Sequence, residues 1–149
     1  MTGTQTEPSI TGSKAAAISN HVVRTMSEYT GRGPTKARTH INDDVVTVLL
    51  QDTLTKGERS LVGDDLDELV LTMRKAFQST MRHDLVSGVE EILGRSVVAF
   101  LSDNHIDPDV AVEIFVLARA ARDRSGNDGD GPPATDGAGR GPFVPGPVT

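Results

Sequence analysis

Gly94-Arg95-Ser96-Val97-Val98-Ala99-Phe100-Leu101-Ser102-Asp103-Asn104-His105-Ile106-Asp107-Pro108-Asp109, running on through Val110 to Leu117, is the stretch that decides the fold. An apolar run, a cluster of Asp, Asn and Pro, and a second apolar run read as strand, turn and strand. Similar wording occurs earlier in the chain. Gly31-Arg32 opens a run that passes through His40-Ile41-Asn42-Asp43-Asp44 and returns as Val45-Val46-Thr47-Val48-Leu49-Leu50. Gly-Arg and His-Ile recur in the same order, with two more residues between them in the later copy. Each copy follows a segment of helical periodicity. The chain therefore predicts two helix-plus-hairpin units, an αββ-αββ pseudo-repeat in which Ile41 and Ile106 are equivalent. The fold class is α+β: a four-stranded antiparallel sheet with both main helices on one face. The return strands are apolar on both faces and belong at the centre, which leaves residues 34–41 at an edge.

Outward from the hairpins, a first helix is predicted over residues 14–30, with Ser13 as N-cap and Gly31 just past its end. Ile18, Val22, Met26 and Tyr29 share one of its faces. Gly33-Pro34 stops the helix, and Lys36, Arg38 and His40 then alternate with Ala37, Thr39 and Ile41, a strand with one wet, basic face. Asn42-Asp43 makes the turn. Thr55 and Glu58 have capping-box spacing, so a short helix starts there. A long helix follows over residues 65–93, with Asp64, Asp65, Asp67 and Glu68 at its start, where the macrodipole favours negative charge. Its apolar ladder is Leu66, Leu69, Val70, Met73, Phe77, Met81, Leu85, Val89 and Ile92, which makes Phe77 a buried anchor. Ser87-Gly88 is the point at which this helix would break.

A chain of 149 residues is one domain, here expected at 14–121, between unfolded tails at 1–13 and 122–149. The second tail is rich in Gly, Pro and Asp. A net charge of −6 repels nucleic acid and anionic lipid, and no aromatic residue sits among the basic ones to stack on bases. The chain has no cysteine, which removes disulfides and thiolate chemistry. No apolar run approaches the roughly 20 residues that span a bilayer, and residues 1–14 lack a signal-peptide core. A cytoplasmic location is the expectation, with the inner face of the membrane as a second place to work.

Candidate chemistry gathers in the hairpins. Asp103, Asn104, His105, Asp107 and Asp109 lie close in sequence, and His40, Asp43 and Asp44 repeat the composition in the earlier copy. Asp, Asn and Pro are also what hairpins use to turn, and the spacing matches no standard ligand loop, so neither a metal nor a cofactor is expected. Arg32, Lys36 and Arg38, with Arg95, form a basic patch suited to an anion or an acidic partner surface. Gly31-Arg32-Gly33-Pro34 leads out of a helix and lacks the Lys-Ser/Thr ending of a phosphate loop. No nucleophile, base and acid arrangement stands out, which points away from an enzyme. The apolar second face of the return strands needs a cover, and a second copy of the chain is the predicted one, giving a homodimer. Glu113 interrupts the last strand, where alternation puts it on one face with Ala111, Phe115 and Leu117 and puts Val110, Val112, Ile114 and Val116 on the other. Placed in that interface, it would need Arg38 or Lys36 as partner.

Several ordered motifs carry a family resemblance. Gly31-Arg32-Gly33-Pro34-Thr35-Lys36-Ala37, Asp43-Asp44-Val45, Leu54-Thr55 with Glu58, Arg74 with Phe77-Gln78, and above all Val98-Ala99-Phe100-Leu101-Ser102-Asp103-Asn104 with Asp107-Pro108-Asp109 and Phe115-Val116-Leu117 resemble the MpsC (YbcI-like) family. The resemblance spans residues 16–117. It implies association with a sodium-translocating, membrane-potential-generating system, whose larger partners resemble an antiporter-like membrane subunit and a zinc protein of inorganic-carbon uptake. It brings no catalytic residues. Two readings follow: an accessory or regulatory protein of a membrane transport complex, docking through its hairpin loops or basic edge, and a small-ligand or metal-binding module built from the Asp/His loops.

Overall fold

A computed structural model of the chain describes residues 10–119. The elements in order are α1 (Ile10–Thr30), β1 (Lys36–Asn42), β2 (Val45–Gln51), α2 (Lys56–Gly63), α3 (Asp67–Leu93), β3 (Val97–His105) and β4 (Val110–Leu117). The expected tail at 122–149 lies outside the described residues. So does 1–9 of the other tail, but residues 10–13 are helical, so α1 begins before its expected Ser13 cap.

The four strands form one antiparallel sheet in the order β1-β2-β4-β3. The two return strands, β2 and β4, are central neighbours and β1 is an edge, as their apolar faces require. α1 and α3 lie on one side of the sheet. Ile18, Val22 and Met26 of α1 and Met81, Leu85 and Val89 of α3 close over Val46, Val48, Leu50, Ala111, Phe115 and Leu117 of the central strands. Burial of that apolar area, at about 25 cal/mol per Å², is the main term holding the layers together. The Phe100 and Phe115 rings add a tilted contact with centroids 5.1 Å apart.

Both main helices end where the Gly-Arg landmarks fall. Gly31 (φ 80°) and Gly94 (φ 64°) take the left-handed conformation, and their N–H groups close the last turns onto the Ser27 and Glu90 carbonyls. The His-Ile landmarks are not equivalent. Ile41 lies within β1 and packs against the core, whereas Ile106 opens the four-residue turn after β3. The later hairpin has a 9-residue first strand with an irregularity between Val97 and Ala99, against 7 residues in β1, and this displaces the second landmark. α2 has the expected capping box, with Thr55 accepting from the Glu58 N–H and Glu58 accepting from the Thr55 N–H.

α3 corrects two expectations. It runs unbroken through Ser87-Gly88. A Cβ on Gly88 would stand 2.0 Å from His21 Nε2, so this glycine lets α1 approach, and the imidazole bonds the Asp84 and Leu85 carbonyls at 3.0 and 3.3 Å. Second, Phe77 is 41 % exposed, and Leu66 and Leu69 are exposed with it. Steps of four residues drift about 40° around a helix each time, so a ladder at strict fours leaves the buried face. The observed inward stripe is Val70, Arg74, Gln78, Met81, Leu85 and Val89. Two of its rungs are polar.

Candidate functional site

Those two rungs organise a polar cluster within the fold. Arg74 reaches from α3 toward the start of α2, where Nη1 donates to Glu58 Oε1 at 3.1 Å, and both side chains are about nine-tenths buried. Nη2 donates to Thr53 Oγ1 at 2.9 Å, and Nε to Asn104 Oδ1 on β3 at 2.9 Å. Asn104 and Gln78 exchange amide hydrogen bonds at 2.9 and 3.0 Å. Gln78 Nε2 then donates to Glu113 Oε1 at 3.2 Å. Thr53 Oγ1 in turn donates to Asp109 Oδ1 at 2.7 Å, and Asp109 Oδ2 accepts from the Leu54 N–H. One network thus ties the α2 cap, α3, β3 and β4 together. Each member satisfies its neighbour, as burial of polar groups demands.

Glu113 is the exception. It is fully buried, and neither its Oε2 nor Ser102 Oγ across the strand pair has a partner in hydrogen-bond geometry. Burial pushes its carboxyl up to about 7, against the weaker opposing pull of Ser102, Gln78 and the Arg74 charge. Glu113 therefore does not lie on the outer face, and the condition under which it would need Arg38 or Lys36 is not met. It shares the inner face with Ala111, Phe115 and Leu117, and its neighbour is Gln78. Alternation gave the correct partners for it, but with both faces of β4 apolar it could not say which one the helices cover.

A cavity of about 510 Å³ opens beside this cluster, between α1, α2 and α3. Met26, Leu61, Met73, Phe77 and Met81 supply apolar wall, and Arg74, Gln78, Glu58 and Thr53 supply the polar part. Tyr29 also lines it, its hydroxyl donating to Asp84 Oδ2 at 2.6 Å, which raises the phenol pKa.

The residues singled out from sequence do not form one site. The two hairpin turns lie at opposite ends of the sheet, since Val45 pairs with Val116 while Gln51 pairs with Val110. His40 and Asp43 are thereby separated from His105 and Asp107, and among the described residues no group of three or more His, Asp or Glu converges as a metal site. His105 Nδ1 and the Pro108 carbonyl bond within their own turn at 2.8 Å. The basic patch is dispersed too. Arg32 is occupied by Asp52 at 2.7 Å and by two carbonyls, and Arg95 by Asp44 and by the Asp43 and Ala118 carbonyls. Asp52, held by Thr35, Arg32 and Arg59, has a lowered pKa, with the Thr35 hydrogen bond the largest cause. Asn104 and Asp109 do enter the buried cluster, as its positioning groups. Thr53, Glu58, Arg74, Gln78 and Glu113 were missed as site residues. Arg74, Gln78 and Glu113 were signalled as polar residues inside apolar patterns, and Glu58 by its capping-box spacing with Thr55.

The remaining candidates, Lys36, Arg38, His40 and Asp103, share the sheet face turned away from the helices. Strand register puts Arg38, Leu49, Val112 and Asp103 in one row across all four strands. The next row is His40, Thr47, Ile114 and Leu101, the last 53 % exposed. The face is basic at β1, apolar across β2 and β4, and acidic at Asp103. Nothing among the described residues covers it.

A family model described as "Na+-translocating membrane potential-generating system (MpsC)" matches residues 11–119. The chain belongs to the MpsC family. Apart from Ile10, the first residue of α1, the match takes in all the described elements, so the buried cluster, the cavity and the open sheet face all lie within the MpsC domain. No curated protein and no solved structure matches this MpsC chain. None of its described helices is long and apolar enough to cross a membrane.

Proposed function

We propose that this chain is a non-enzymatic accessory or regulatory subunit of a sodium-translocating, membrane-potential-generating assembly, working from the cytoplasmic side of the membrane as a homodimer. The observation that carries the reading is the family match over the whole described domain. In keeping with it, none of the described helices is long and apolar enough to span a bilayer, so this part of the chain would reach such an assembly by docking.

The homodimer rests on the open sheet face. A two-fold axis along the strands, between β2 and β4, carries β1 of one copy over β3 of the other. The row Arg38, Leu49, Val112, Asp103 then meets itself reversed. Each Arg38 lies over the partner's Asp103, and Leu49 and Val112 close the apolar middle. Stacked sheets sit about 10 Å apart, a gap that an arginine and an aspartate bridge together. Such a dimer buries the apolar rows and leaves the turns at both ends of the sheet free for the transport partner.

The test of function is deletion of the gene in the cell of origin, with membrane potential followed by a potential-sensitive dye as external sodium is varied. The sodium-dependent component should fall on deletion and return with the wild-type chain. A potential unchanged by deletion would contradict the proposal.

A further inference from the structure

We infer that the cavity between α1, α2 and α3 is a binding site for a small uncharged molecule with an apolar body and one hydrogen-bond-accepting head, such as a ketone. At about 510 Å³ it is within the size range of small-molecule sites. Three of the chain's four methionines, Met26, Met73 and Met81, line it. Thioether side chains are polarizable and readily re-pack, which suits a wall that adapts to an occupant. Phe77 and Tyr29 stand at the same wall with about two-fifths of their surface exposed, an arrangement that folding alone does not favour. A bound apolar body would cover them.

Charge selects the head group. Around the polar end, Arg32, Arg59 and Arg74 are matched by Asp52, Asp109 and Glu58 in direct ion pairs. Glu113, behind Gln78, adds negative charge or none. No uncompensated positive charge remains to receive an anion, and a cation would meet the three guanidinium groups. A donor does remain. Arg74 directs four of its five N–H groups to Asn104, Glu58 and Thr53, and the fifth, on Nη2, has no acceptor among the described residues. An uncharged acceptor satisfies it without disturbing the Glu58 pair. The same network links the site to β3 and β4 through Asn104, Gln78 and Glu113, so occupancy bears on the central sheet.

The probe is Prodan, an uncharged naphthyl ketone whose emission shifts to the blue in apolar surroundings, titrated into the full chain carrying methyl-labelled methionine. Saturable one-to-one binding is expected, with the Met26, Met73 and Met81 methyl resonances moving together. Met73→Trp, which fills the cavity, should raise Kd roughly ten-fold or more. Leu61→Trp, from the facing helix, should do the same if Met73→Trp fails to fold. Absence of saturable binding, or binding unchanged in both variants, would overturn the inference. Tighter binding of the anionic dye anilinonaphthalene sulfonate would overturn the uncharged class. Prodan binding that appears only after Phe143→Ala with Val144→Ala would assign the cavity to the chain's own C-terminal segment instead.

Discussion

Glu113 sits fully buried on the inner face of β4, among Ala111, Phe115 and Leu117. A carboxylate taken out of water without a full set of hydrogen bonds is costly, and proteins relieve the cost by holding the proton. Its carboxyl is pushed from the ordinary 4.5 to about 7. Between those values the unfolded chain has released the proton and the folded chain keeps it. Stability therefore falls as pH rises through that window and carries the full penalty above it. Glu113→Gln keeps an acceptor for Gln78 and removes the titration. It should flatten the fall and stabilise the protein at pH 8 by on the order of 2–3 kcal/mol. Urea unfolding from pH 4 to 8 would check this, and parallel wild-type and variant curves would contradict it. The preceding strand alternation shows how far sequence reaches at this level. It grouped Glu113 with Phe115 and Leu117 but could not see Gln78, which arrives from a helix 35 residues earlier.

α3 shows why some of the site was hidden. The strands and turns were legible because a period of two, Asp-rich turns and two helix-ending glycines each mark themselves in the chain. The capping box of α2 was legible for the same reason. The inward stripe of α3 was not, because Arg74 and Gln78 occupy rungs that a search for apolar residues passes over, and Phe77 and Leu69 offered themselves in their place. Tertiary contacts with Glu58, Asn104 and Glu113 are what make polar rungs tolerable, and none of those contacts is local. The corrected stripe fixes the expectation for Phe77, whose truncation costs well under the 3–5 kcal/mol of a buried ring. Gly88 supplies the sharper test of helix packing. Gly88→Ala improves helix propensity by about 1 kcal/mol, yet its methyl collides with the His21 ring. The collision should win, with a net loss of about 1–2 kcal/mol in denaturant unfolding. Restoration by a second change, His21→Ala, would identify the ring as the cause. A Gly88→Ala protein as stable as wild type would mean that α1 and α3 pack less closely than described.

The described residues form two layers, a sheet and the helices on one of its faces. Helices cover one face of the sheet, and the other presents Leu49, Val112, Ile114 and Leu101 between a basic and an acidic margin. Its composition reads as an interface, since apolar rows left wet invite non-specific association. The proposed role puts the domain beside a membrane assembly of the kind the MpsC family description names, and a symmetric dimer would offer that assembly two copies of each hairpin turn. The self-pairing of the row Arg38, Leu49, Val112, Asp103 is the central claim, and sedimentation velocity at micromolar concentration addresses it most directly. Wild type should sediment as a dimer. Arg38→Asp and Asp103→Arg should each weaken association roughly ten-fold or more, because like charges then face each other across the interface. The double variant Arg38→Asp with Asp103→Arg should restore the dimer. A monomeric wild type would contradict the dimer itself, and a stable dimer indifferent to both single reversals would contradict this two-fold arrangement.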